Sequence, residues 1–249
     1  MKIIYSELFR KYPELVFGIS TKEEKNSFSP APLFLNMGLS VGDDEKNVKN
    51  NRELFFKELK INYDEVVYQK QVHSCNIKIA KEPGFIMNND SLISNKEELF
   101  LAVQVADCAP VFIYDPVNKV FAGIHSGWKG AECNISGKTI ESMYNSFNSK
   151  PADLIAYTGP CISVNNYQVG IEFKKVFKDK YFDVRDENLY FDLKGVIFDQ
   201  LLAAGLKKEN IEMSDCCTFG DRNDFHSHRR EKGNTGRMMG IIGLRPIKQ

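Results

Sequence analysis

Histidine and tryptophan are scarce in this chain. Four histidines and one tryptophan occur in 249 residues, too few imidazoles for a centre that needs many of them. An excess of one charge is missing too: 33 Lys and Arg balance 33 Asp and Glu. Gripping long nucleic acid needs a basic excess, so a nucleic-acid partner is not expected. A small anion held by a local cluster remains open. No apolar run approaches the ~20 residues of a membrane span, so no membrane partner is expected. The segment Met1–Glu7 is broken by polar residues too early for a signal peptide. Neither a GxGxxG nor a P-loop glycine pattern occurs, so those nucleotide grips are not signalled. The six cysteines (75, 108, 133, 161, 216 and 217) show no CxxC spacing. The expectation is a cytoplasmic protein with free thiols and no structural disulfide.

What is present suffices for a full core, since 43% of residues are hydrophobic. The length fits one large domain or two small ones. Strand-like runs fall at Leu15–Thr21, Glu65–Val72, Asn76–Ala80, Leu99–Val105, Val111–Tyr114, Val120–Ile124, Leu154–Tyr157 and Met238–Leu244. Helical spacing covers Glu45–Leu59, the stretch after Gly130 to about Phe147, Ile171–Phe177 and Asp192–Ala204. Pro83-Gly84 and Asn88-Asn89-Asp90 read as punctuation. Strands and helices mix without strict βαβ alternation, which favours α+β or layered α/β over a Rossmann sheet.

His73, Cys108 and His125 each sit in a short local sequence at the end of an apolar run: Gln71-Val72-His73, Ala106-Asp107-Cys108 and His125-Ser126-Gly127-Trp128. Two imidazoles and a thiolate are three ligands for zinc, with a fourth position open to chemistry; the same set takes copper. Taken singly, a strand-end histidine is a satisfied polar group and Cys108 a small buried hydrophobe. Asp107 is placed to orient a histidine or ligand, or to act as acid or base. The two glycines around Trp128, just before a helix, suit an anion, and the Trp128 ring suits a flat base or a place in the core. Further on, Arg229, Arg230 and Arg237 lie within nine positions, and guanidinium forks match phosphate. A solvated basic loop balanced by Glu231 and Asp224 is the alternative. His226 and His228 are weak extra ligand candidates. Gly159-Pro160-Cys161-Ile162, followed by Tyr167, is either a site-lining loop or a packed turn. Cys216-Cys217 reads as structural.

Together with Asn36-Met37-Gly38-Leu39, Asn51-Arg52, Ala109-Pro110, Lys129-Gly130, Ser227-His228-Arg229-Arg230 and Thr235-Gly236-Arg237, these segments resemble the YfiH/laccase-domain (DUF152, FAMIN-like) family, in order over nearly the whole chain. The resemblance implies a single α/β catalytic domain over residues 1–249. It implies a layered sandwich related to the cysteine-hydrolase-like fold of a bacterial deamidating toxin. It also implies that His73, Cys108 and His125 form the metal-binding catalytic centre. The family is associated with phosphorolysis of adenosine, inosine, guanosine and methylthioadenosine, and with deamination of adenosine. Some members carry a copper polyphenol oxidase label, and one is linked to editing of peptidoglycan precursors. This chain departs from the pattern at Lys22-Glu23-Glu24, where Arg and Gly are expected, at Ser91 after Asp90, and at Ser74 and Ser126.

Three enzyme classes follow. A purine nucleoside phosphorylase with deaminase activity needs a phosphate cradle (Arg229, Arg230, Arg237) and a base wall (Trp128 or Tyr167). A cysteine amidase uses Cys108 as nucleophile and His125 as base. A copper oxidase uses the same ligands for copper. A purely structural metal is disfavoured, because such sites have four protein ligands and no opening.

Overall fold

The computed structural model describes residues 1–246. Two six-stranded sheets lie at its centre. In spatial order the first runs Ile3–Ile4, Leu15–Ser20, Met238–Leu244, Phe100–Val105, Val66–Gln69 and Gly84–Ile86. The second runs Ile211–Met213, Ile155–Thr158, Ala109–Asp115, Val120–Ser126, Ser91–Ser94 and Ile77–Ile79. A small third sheet joins Gln168–Val169, Asn188–Phe191 and Phe182–Arg185.

Side-chain alternation shows how the layers stack. Leu101, Val103 and Val105 share one cluster with Phe112, Tyr114 and Phe121 of the other sheet. Phe100 and Ala102, one residue out of phase, pack instead with Phe55, Phe56 and Leu59 of the helix Glu45–Leu59. Val111, Ile113, Ala122 and Ile124 pack with Ile140 and Met143 of the helix Ile135–Phe147 and with Ile197 and Leu201 of the helix Leu193–Ala203. The result is a mixed α/β sandwich: helix, sheet, sheet, helices. Central strands buried on both faces read as nearly continuous apolar runs, which is why they were visible in the sequence.

Several expectations change. The helix expected after Gly130 is two helices, Trp128–Glu132 and Ile135–Phe147, with Gly130 inside the first. Asn134 breaks them: its φ of 56° is left-handed, and its side chain caps Gly137 N. Ile171–Lys175 is a 3-10 turn rather than an α-helix. The Pro83-Gly84 punctuation opens an edge strand. The hairpin of Phe182–Arg185 and Asn188–Phe191 turns on Asp186 and Glu187, both at positive φ. Two-residue hairpin turns of that geometry usually carry Asn-Gly, so no signal announced it. The thiols are not all free: Cys75 and Cys133 form a disulfide, with Cα atoms 6.3 Å apart. Sequence spacing could not show that the strand entrance at Cys75 meets the end of the helix Trp128–Glu132.

Gly240, mid-strand in Met238–Leu244, lets the two sheets approach. A Cβ there would overlap the Phe112 ring and press on Ile19. Gly240→Ala is expected to cost about 1–3 kcal/mol by overpacking, measured as a lower denaturation midpoint. An unchanged midpoint would refute tight packing at this point.

Candidate active site

The ladder between Ala109–Asp115 and Val120–Ser126 pairs Pro110 with His125 and Ala109 with Ser126. One step further, Cys108 lies beside Gly127. His125 and Cys108 are in phase with Phe121 and Phe112, so both point toward the space between the sheets, at the end where it opens. His73 comes from the other sheet, on the loop after Val66–Gln69. Its φ of 57° and that of Asp107, 85°, lie in the left-handed region. Such conformations in non-glycine residues carry strain that the surroundings must hold.

The three side chains converge. Their ligating atoms all lie within 4.8 Å of one another. Cys108 Sγ is 3.8 Å from Nε2 of His73, and the two imidazole rings meet edge-on with centroids 4.8 Å apart. Tetrahedral zinc bonds would set sulfur and nitrogen about 3.5 Å apart, so the set fits one zinc or copper ion with little adjustment. Gly127 keeps the space clear: a Cβ there would come within 2.7 Å of Cys108 Sγ.

Asp90 was missed as a site residue. The sequence showed it only as loop punctuation and as a variant of an Asp-Gly pair. It is wholly buried. Its Oδ1 lies 2.8 Å from Nδ1 of His125 and accepts from the His73 N–H at 3.0 Å. Its Oδ2 accepts from Ser74 N and Ser74 Oγ at 2.6 and 2.7 Å. One carboxylate therefore aims Nε2 of His125 at the centre and holds the His73 loop. Carboxylate support of a ligating histidine is the usual outer shell of a metal site, and the order thiol, imidazole, carboxylate also matches the arrangement of a nucleophile, base and orienter.

Electrostatics follow from this packing. Burial pushes the Cys108 thiol up, but the His125 and His73 imidazoles outweigh it and hold the thiol below its ordinary range. Burial works against a charged His125, yet Cys108 and Asp90 outweigh it and raise its pKa. Burial likewise opposes the Asp90 charge, and hydrogen bonds from His125 and Ser74 override it, lowering its pKa. Both shifts favour a thiolate beside an imidazolium in the metal-free site, and a bound metal would displace the proton on Nε2 of His125.

His73, Cys108 and His125 line a cavity of about 680 Å³. Trp128, Tyr167, Arg229 and Arg237 line it too. Trp128 is half-buried against Phe173, with ring centroids 5.1 Å apart. Arg229 lies over the Tyr167 ring at 5.3 Å and donates to Gln168 O. Arg237 is anchored by Nη1 on the carbonyls of Thr235 and Gly236. Arg230 does not line the cavity. Its guanidinium is spent on the carbonyls of Thr218, Phe219 and Phe225 and on Glu231, so it holds its loop together and is no phosphate ligand. Asp107 borders the cavity, but its carboxylate accepts from Thr218 Oγ1, Ser227 Oγ and Arg229 N at 2.6, 3.0 and 2.7 Å. It ties the loop carrying Arg229 to the centre and touches neither histidine. His226 is buried on Phe34 O and Thr235, and His228 lines the cavity outside the three-ligand cluster. The helix after Gly127 is only five residues long, too short for the anion-binding role expected of its start. Cys161 is buried beside Ile162, which lines the cavity.

Residues 17–245 match a family model described as multi-copper polyphenol oxidoreductase laccase. The chain belongs to this laccase-domain family. It is 32% identical to the purine nucleoside phosphorylase YlmD of Bacillus subtilis, with 93% of this chain and 89% of that protein covered. Among solved structures, the hypothetical protein YfiH of Bacillus licheniformis superposes with a TM-score of 0.90 at 31% identity, covering 98% of this chain and 96% of the other. YlmD of Geobacillus stearothermophilus also gives 0.90, at 29% identity and with 97% and 94% covered. The mixed α/β fold is thus that of the YfiH structures. No helix among the described residues of this laccase-domain chain is long and apolar enough to cross a membrane.

Two outcomes are expected at this centre. In metal-free protein, thiolate absorbance of Cys108 persists below the ordinary thiol midpoint of about 8.5. Asp90→Asn removes the charge that favours imidazolium, so the midpoint moves up toward the ordinary value; an unmoved midpoint would disprove the coupling. Gly127→Ala is expected to weaken metal retention at least about tenfold with the fold intact, read by metal analysis after dialysis. Full retention would place the ion elsewhere.

Proposed function

We propose that this chain is a purine nucleoside phosphorylase, cleaving adenosine, inosine and guanosine to base and ribose 1-phosphate, and methylthioadenosine to adenine and 5-methylthioribose 1-phosphate. The observation that carries it is the convergence of His73, Cys108 and His125, with Asp90 behind His125, in a cavity that also presents Arg229 and Arg237. The purine nucleoside phosphorylase names of its relatives support it. Residues 1–249 are taken as one catalytic domain, acting in the cytoplasm.

Arg229 and Arg237 hold phosphate, and Trp128 and Tyr167, expected as a base wall, line the same cavity. A phosphate oxygen bonds to the sugar carbon as the bond from that carbon to the base nitrogen breaks. The electron pair leaves with the base, and the proton that phosphate brings ends on the base. The Cys108 thiolate sets negative charge near the cationic sugar of the transition state, while the His125 imidazolium holds a proton on the leaving side. Zinc or copper, if bound, takes His73, Cys108 and His125 as ligands and supplies Lewis-acid chemistry, including water activation for deamination of adenosine.

A second reading has its own support. Cys108, His125 and Asp90 are ordered as in cysteine hydrolases, which suits an amidase acting on peptidoglycan precursors. A multicopper oxidase is disfavoured on ligand count: two of the four histidines, His226 and His228, lie outside the cluster.

Adenosine incubated with and without phosphate tests the proposal, with products separated by chromatography. Adenine and ribose 1-phosphate should form only with phosphate, inosine reports deamination, and Cys108→Ala should lower turnover by at least about a thousandfold. Adenosine returned untouched with phosphate present would sink the phosphorylase and turn attention to the amidase. Arg229→Ala should raise the Michaelis constant for phosphate about tenfold or more, whereas Arg230→Ala should lower stability and leave that constant unchanged. The reverse pattern would remove Arg229 from the phosphate cradle.

A further inference from the structure

We propose that Phe85 is the platform on which the purine base stacks, with the Gln104 amide facing the base edge. The inference rests on the nucleoside reading above and names its base subsite. Phe85 lies on the edge strand Gly84–Ile86, in register with Tyr68 of Val66–Gln69. The two rings are stacked, with centroids 4.9 Å apart and planes 22° apart. Behind Tyr68 the Arg52 guanidinium sits 4.6 Å from the ring centroid. Arg52 is wholly buried, and its Nε and Nη2 both donate to Met37 O, at 2.9 and 2.8 Å. This pins a three-layer stack of guanidinium, phenol ring and phenyl ring.

The outermost layer has a free face. Phe85 is 59% exposed and lines the cavity. Tyr68 covers one face of its ring, and the other is open to a planar group. Edge strands usually carry charge where they meet solvent, so a phenylalanine there calls for an occupant. Met87, 52% exposed, lines the cavity beside it. Trp128 and Tyr167 offer less. Trp128 already has Phe173 and the Lys129 ammonium against its ring. Tyr167 is covered by Arg229 and packed edge-on against Phe173 and Phe191.

Gln104 supplies the polar complement. The Gln71 side chain holds its backbone, donating to Gln104 O at 2.7 Å and accepting from Gln104 N at 2.8 Å. The half-buried Gln104 amide faces the cavity and makes no hydrogen bond among the described residues. An amide offers one acceptor and two donors and can turn either toward a ligand. It therefore suits 6-amino and 6-oxo purines alike, and stacking on a phenyl face is equally tolerant. The subsite takes purine nucleosides as a class.

Equilibrium dialysis of the full chain against adenosine, and separately against ribose 1-phosphate, tests this. Phe85→Ala should weaken adenosine binding roughly tenfold, the usual scale for loss of one base–aromatic stack. Ribose 1-phosphate binding should not change, because that ligand has no base. Phe85→Trp should restore adenosine binding, and Tyr144→Ala, which removes an exposed aromatic outside the cavity, should leave it as it is. The exposed position of Phe85 keeps folding out of the comparison. Equal adenosine binding by the unmodified and Phe85→Ala proteins overturns the subsite. An unmodified chain that binds no adenosine overturns it as well. Adenosine bound through Phe85 but not phosphorolysed leaves the subsite standing, and only the phosphorylase reading falls.

Discussion

The antiparallel register between Ala109–Asp115 and Val120–Ser126 is the constraint on which the site depends. It sets His125 across from Pro110 and brings Cys108 beside Gly127. A slip of one residue would turn every side chain of a strand to the opposite layer. His125 would then face the helices, and Ile124 would face the gap between the sheets. Apolar packing on both faces of these strands forbids that slip, so ordinary core burial fixes the aim of two reactive groups. The third, His73, is brought from the other sheet by hydrogen bonds to one buried carboxylate.

That carboxylate, Asp90, links the two sheets chemically as well as spatially. It accepts from a ring nitrogen of one strand and from the backbone of a loop in the other layer. Proton and metal compete for the same lone pairs at His125 and Cys108, so the occupancy of the centre depends on acidity. Asp107 has a parallel task on the far side. Its carboxylate collects three donors, and with them the loop that carries Arg229.

The cluster of His73, Cys108 and His125 was legible in the sequence because each ends an apolar run, where a polar residue needs a reason. The strands themselves were legible because burial on both faces leaves runs of Val, Ile and Phe. Asp90 was hidden inside an Asn-Asn-Asp stretch that reads as a turn, since its partners lie 16 to 35 residues away. Arg230 looked like a phosphate ligand because sequence shows charge but not whether carbonyls have already claimed it. Phe85 followed a Pro-Gly pair and so passed for loop. Cys75 and Cys133 are separated by 58 residues, and their meeting is a product of the fold. What sequence conveys is local periodicity and residue chemistry; what it withholds is which distant groups satisfy one another.

The pairing of Leu15–Ser20 with Met238–Leu244 bears on how the protein is made. The first of these strands emerges from the ribosome long before its main neighbour exists. Its only other sheet partner among the described residues is the two-residue strand Ile3–Ile4. A newly made N-terminal segment must therefore wait with an apolar edge unpaired, a state open to misassociation and to chaperone binding. Arg229 and Arg237 arrive with the closing strand, so the sheet is completed and the cavity acquires its cations in the same late step of synthesis. An unfinished chain would be both sticky and inert.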